Sequence, residues 1–150
     1  MDYKKVEREP FKVIGERRTT PYGGGTWAIV KSDGSMEAMK ELSGKFFDLG
    51  ICFGFGEDGS NDYMCGIEWE KEDIPEFESY IYLAATWLIF EAKGGITDNV
   101  LGNTWQRISR EFLPQSKYKK SGMPTIEKYV EWDEAADICR VEIWIPVSLK

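Results

Sequence analysis

The most restrictive pattern in this chain is the run Ile138-Cys139-Arg140-Val141-Glu142-Ile143-Trp144-Ile145-Pro146-Val147, in which every odd position is apolar. Alternation with a period of two fits a strand with one face on a core. It turns Cys139, Val141, Ile143, Ile145 and Val147 inward and leaves Arg140, Glu142 and Trp144 on the other face. An earlier run, Thr125-Ile126-Glu127-Lys128-Tyr129-Val130, carries a similar doublet, with Glu127 and Tyr129 two residues apart and therefore on one face. If the two runs pair as a hairpin, two glutamates and two aromatics are expected to line one surface. Ring faces attract cations and a carboxylate supplies the opposite charge, so such a surface suits an aromatic or cationic small molecule.

The rest of the composition narrows the chemistry. A chain of 150 residues fits one domain able to bury a core without staples. Its 42% hydrophobic and 14% aromatic content is that of a globular protein. No apolar run reaches the ~18 residues that span a bilayer, and the start, Met1 to Glu7, lacks the hydrophobic segment of a secretory signal, so a cytoplasmic protein is expected. Cys52, Cys65 and Cys139 are odd in number and far apart, and are expected to be free thiols, the last two among apolar neighbours. The absence of histidine removes the commonest metal ligand and the commonest base near neutral pH. No metal or other cofactor is expected, and any chemistry must rest on carboxylates, tyrosine or lysine. A net charge of −7 opposes direct binding to DNA or to an anionic membrane, and is compatible with cationic ligands.

Along the chain, residues 5–20 read as an extended opening strand, broken at Pro21-Tyr22-Gly23-Gly24-Gly25. Trp27, Ile29 and Val30 fit a short helix, and Met36, Met39, Lys40 and Leu42 return at helical spacing up to Gly44. Residues 51–56 and 63–69 read as strands joined by turn-forming residues, and 80–90 as one strand, the longest. Val100, Leu101, Trp105, Ile108 and Phe112 fit a helix that Pro114 stops, ahead of the final two strands. The order is strand, helix, strand, strand, given twice. Met64-Cys65-Gly66-Ile67-Glu68 resembles Ile138-Cys139-Arg140-Val141-Glu142, and Thr26-Trp27 resembles Thr104-Trp105, at nearly the same offset. A single domain over 1–150 with half-repeats at about 6–72 and 80–147, and a ligand cleft between the halves, is therefore expected.

Three apparent motifs carry no function. Gly54-Phe55-Gly56-Glu57-Asp58-Gly59 matches a dinucleotide fingerprint in letters, but a strand follows where a helix is needed. Ser43-Gly44-Lys45 lacks the first glycine and the hydroxyl residue of a phosphate loop. Asp58, Ser60 and Asp62 are spaced like calcium ligands, yet Trp69 stands where the bidentate glutamate belongs. The acidic stretch from Glu68 to Glu78 reads as a solvated loop, with docking of a basic partner as the functional alternative.

The closing runs Pro124 to Tyr129 and Val141 to Val147 resemble the end of the GyrI-like effector-binding domain, which also occurs in transcription regulators of the AraC and MerR types. Thr26 to Val30, Leu49 to Gly54 and Asn103 to Ile108 are similar to family segments in the same order, so the resemblance spans about 6–147. It implies an α+β fold of duplicated strand-helix-strand-strand modules of the SHS2 type, with an antiparallel sheet, helices on one side and a central ligand cleft. It further implies that Glu127 meets the positive charge of a hydrophobic ligand, with Tyr129 beside it, and that Glu142 and Trp144 take the second acidic and aromatic positions. Trp105 matches a segment that gives aromatics to the pocket, and Trp27, Phe53, Phe55 and Tyr63 are candidates for the opposite wall.

No DNA-binding region accompanies the domain within this chain, so a standalone form is expected. Capture or sensing of a drug or toxin is the first functional reading. The alternatives are a metal-free hydrolase of cyclopropane-bearing alkylating compounds, which would use Glu127, Glu142 and Tyr129, and an inhibitor of DNA gyrase, which implies a partner protein.

Overall fold

The computed structural model describes residues 1–22 and 24–150; Gly23, inside the expected break, lies outside them. The chain forms two compact units, one of Met1–Arg8 with Ala85–Lys150 and the other of Glu9–Ala84. Each combines an antiparallel sheet with helices packed on one face, which is the expected α+β architecture.

In the unit of Glu9–Ala84, strand β2 (Phe11–Thr20) is followed by helices α1 (Gly25–Ser32) and α2 (Ser35–Ser43). Strands β3 (Leu49–Phe55), β4 (Asn61–Glu68) and β5 (Glu78–Tyr82) come next, in the sheet order β3-β4-β2-β5. Ile14, Tyr63, Cys65 and Ile67 of the sheet bury against Val30 and Met39 of the helices. The opposite face carries Val13, Ile51, Met64 and Tyr82, all without solvent exposure. The central strands of this unit are therefore apolar on both faces.

In the other unit, β1 (Lys4–Arg8), β6 (Ala85–Gly94), β9 (Ile138–Leu149) and β8 (Thr125–Asp133) lie side by side in that order. A short strand, β7 (Tyr118–Lys120), pairs with the far end of β9. Helix α3 (Val100–Arg107) runs into a π-helical turn, Ile108–Phe112, and a last α-turn, α4 (Leu113–Gln115). Pro114 sits inside that turn, so the helix runs past the proline by one residue before it stops. Leu88, Phe90, Ala92, Ile143 and Ile145 bury against Ile108, with Leu101, Trp105 and Phe112 packed alongside. The odd positions of β9 are therefore the core face, as its alternation requires.

Two expected strands prove to be four. The opening run divides at Glu9-Pro10 into β1 and β2, and the run at 80–90 divides after Tyr82 into β5 and β6. In both cases the pieces pair differently: β1 with β6, β5 with β2. Pro10 offers no N–H to a ladder, so a break there is sound chemistry. The longest strand is β9, with 12 residues. In both units the strand-helix-strand-strand order recurs: β2, α1, β3, β4 and β6, α3, β8, β9.

Candidate functional site

Register decides which side chains meet on the final hairpin. Glu127 is the cross-strand partner of Ile143 and Tyr129 that of Val141, so both glutamate and tyrosine project with the core face of β9, toward α3. Glu142 faces Lys128 across one neighbour and Glu91 across the other, and Trp144 is opposite Ile126 and Ile89. Those residues occupy the face away from the helix. The single surface expected from the alternation is thus corrected: Glu127 with Tyr129 and Glu142 with Trp144 leave the hairpin on opposite faces.

On the helix-bearing face, α3 positions Trp105 so that its indole N–H donates to Glu127 Oε2 at 2.8 Å. The Tyr129 hydroxyl donates to Oε1 of the same carboxylate at 3.1 Å. Each oxygen thus receives a neutral aromatic donor, and Glu127 and both rings are half-buried. A bulge between Tyr129 and Glu131 returns Trp132 to this face, paired with Cys139, and its ring meets Tyr129 edge-on at 5.6 Å between centroids. Trp132 is exposed, and sequence reasoning missed it because a bulge leaves no mark in a local pattern. Lys120 Nζ lies 5.8 Å from the Trp105 ring centroid. The result is a carboxylate bonded to two aromatic residues, with a third ring against the second, a geometry suited to a large organic cation.

The other face carries a looser group. Trp144 donates its indole N–H to Glu142 Oε1 at 3.2 Å, packs edge-on against buried Trp87 at 6.0 Å, and has the Arg8 guanidinium 5.7 Å from its ring. Charges of both signs surround Glu142: Lys128 opposite it, and Glu91, which lies 3.7 Å from Arg140, on the other side.

The four remaining candidates do not form one wall. Trp27 of α1 donates to the Tyr63 hydroxyl at 3.0 Å on the helix face of its unit, where Tyr63 is buried in the core. Gly50 makes that position possible, because a Cβ there would lie 1.6 Å from the Tyr63 hydroxyl oxygen. Phe53 projects from the other face, beneath the Arg17 guanidinium at 3.6 Å, and Phe55 is exposed at the end of β3. Trp27 and Tyr63 are accounted for by packing and by each other. The cysteines are not joined in disulfides; Cys65 and Cys139 are buried, and burial pushes the Cys139 thiol pKa up. Among the described residues no helix is long and apolar enough to cross a membrane.

A family model of the GyrI-like small molecule binding domain matches residues 1–148. The chain belongs to that family. This GyrI-like domain has the fold of SAV2435 bound to tetraphenylphosphonium, with a TM-score of 0.77 at 19% identity over 99% of this chain and 94% of that one. It also has that of the EcmrR C-terminal domain, with a TM-score of 0.66 at 14% identity over 99% and 98% of the two chains. A hydrolase from Listeria innocua is more distant, with a TM-score of 0.55 at 8% identity over 97% and 91%. No curated protein matches the GyrI-like chain significantly. Membership settles small-molecule binding as the class of function; at these identities the solved structures establish the fold alone.

Proposed function

We propose that this GyrI-like domain captures hydrophobic aromatic cations, with Glu127 as the counter-charge and Trp105, Tyr129 and Trp132 as the surfaces on which the ligand stacks. The observation that carries this reading is the carboxylate held on both oxygens by neutral aromatic donors, at 2.8 and 3.1 Å, on one face of β8. Neutral donors orient a carboxylate without neutralising it, so these two bonds hold an acidic group in place for a ligand cation in a partly dry, ring-lined setting. The tetraphenylphosphonium bound to SAV2435 is a cation of this chemical kind. Sequestration or sensing of a drug or toxin is the biological use that such a site fits, and the acidic balance of −7 favours a cation over DNA or an anionic membrane.

The test is a fluorescence titration with a rhodamine dye and with tetraphenylphosphonium as competitor. Glu127→Gln is expected to weaken dye binding by ~1–3 kcal/mol while leaving the circular dichroism spectrum unchanged. Equal affinity in variant and parent would sink the proposal. The same incubations followed by chromatography separate binding from turnover, because a binder returns its ligand intact. A hydrolase built on Glu127 and Glu142 as a pair is disfavoured by their opposite faces on the hairpin.

A further inference from the structure

Arg17 is set among groups that would receive a free cation. Its guanidinium carbon lies 3.6 Å from the centroid of the Phe53 ring, which is stacking distance. Nε and Nη2 donate to the two oxygens of Asp62 at 2.8 and 2.7 Å, a bidentate fork, and Nη1 donates to Glu78 at 2.9 Å. Tyr80 closes the group, edge-on to Phe53 at 5.3 Å. Four strands of one unit contribute: Arg17 from β2, Phe53 from β3, Asp62 from β4, and Glu78 and Tyr80 from β5. Phe53 is the unpaired residue of a bulge between Cys52 and Gly54, the device by which a strand re-aims one side chain.

Three features separate this arrangement from an ordinary surface ion pair. Two carboxylates serve one guanidinium, so the group keeps a net negative charge. An aromatic face is committed as well as the hydrogen bonds. The side chains of Arg17, Asp62 and Glu78 are 31%, 36% and 50% exposed, so an outside cation can reach them. We propose that Phe53, Tyr80, Asp62 and Glu78 form a second cation site, selective for planar guanidinium or amidinium groups, which Arg17 keeps occupied from within the chain. A planar ligand with paired N–H donors reproduces both the fork and the stacking of Arg17. A quaternary cation without N–H donors cannot, and displacing Arg17 with one would leave Asp62 and Glu78 without their hydrogen bonds. The site therefore differs in ligand class from the one around Glu127 and does not depend on it.

The experiment uses benzamidine, an aromatic amidinium, titrated calorimetrically in a Glu127→Gln background so that the first site is weakened equally in every protein compared. Arg17→Ala is expected to bind it roughly tenfold or more tighter than the protein that keeps Arg17, and adding Asp62→Asn is expected to abolish the gain. Equal affinity with and without Arg17, or a gain that survives Asp62→Asn, overturns the proposal. Arg17→Met retains an apolar stem and serves if the alanine variant does not fold. If both variants are unfolded, recovery of the folded circular dichroism spectrum on adding benzamidine supports the site, and its absence overturns it.

Discussion

The indole N–H of Trp105, on helix α3, reaches across to strand β8 and donates to Glu127 Oε2 at 2.8 Å. This bond joins the helix to the sheet beside the apolar cluster and fixes the orientation of the carboxylate. Trp105→Phe keeps most of the ring and removes the donor. It is expected to lower stability by about 1–2 kcal/mol in urea unfolding, and a cycle with Glu127→Gln should show coupling between the two positions. Additive effects would mean that the contact contributes nothing of its own.

Because Glu127 and Glu142 point to opposite faces and share no partner across the hairpin, their effects on dye binding should be independent. The loss in Glu127→Gln/Glu142→Gln is expected to equal the sum of the single losses within about 0.5 kcal/mol. Strong non-additivity would place both carboxylates on one ligand and contradict the register.

The Asp62 carboxyl is held below the usual carboxylate range, first by its hydrogen bonds from Arg17 and then by the charge of the same group, against some desolvation. A depressed folded pKa stabilises the protein above the unfolded value of about 3.9, and that stabilisation is lost as pH falls through the folded pKa. Parent and Asp62→Asn should therefore differ by a constant amount from neutral pH down to about 4, and converge below it. At 36% exposure the pair is screened, so the plateau is expected at about 1 kcal/mol or less. Thermal unfolding across pH checks both the plateau and the convergence.

Gly50 is required by close approach. A Cβ at this position would meet the Tyr63 hydroxyl oxygen at 1.6 Å and the ring carbon that bears it at 2.5 Å. Gly50→Ala is expected to cost about 1–3 kcal/mol, since the ring it would displace is buried in the core and bonded to Trp27. Tyr63→Phe in the same protein should recover only part of this, because the second clash remains; unchanged stability in Gly50→Ala, measured in urea, would refute the account.

Much of this protein was written in its sequence. The alternation from Cys139 to Val147 set the core face of β9, helical spacing placed Val30, Met39 and Ile108 inward, and the turn residues between β3 and β4 marked the hairpin. These are local facts, because each residue's face follows from its position within its own element. The doublet of Glu127 and Tyr129 was legible for the same reason, and the GyrI-like resemblance carried Trp105 with it. What no local pattern held was the relation between elements. The loop between β8 and β9 and the bulge at Val130 set a register that sends Glu127 toward α3 and Glu142 away from it, and brings Trp132 onto the same face as Glu127. A shift of one residue in pairing exchanges the faces while leaving each strand's alternation intact. The division of residues 80–90 into β5 and β6 belongs to the same class: the apolar run is continuous, and the break exists because β5 pairs with β2 whereas β6 pairs with β1 and β9. Sequence by itself chose which side chains leave each element together; the tertiary pairing decided which of them meet, because that choice depends on hydrogen bonds and packing between residues far apart in the chain.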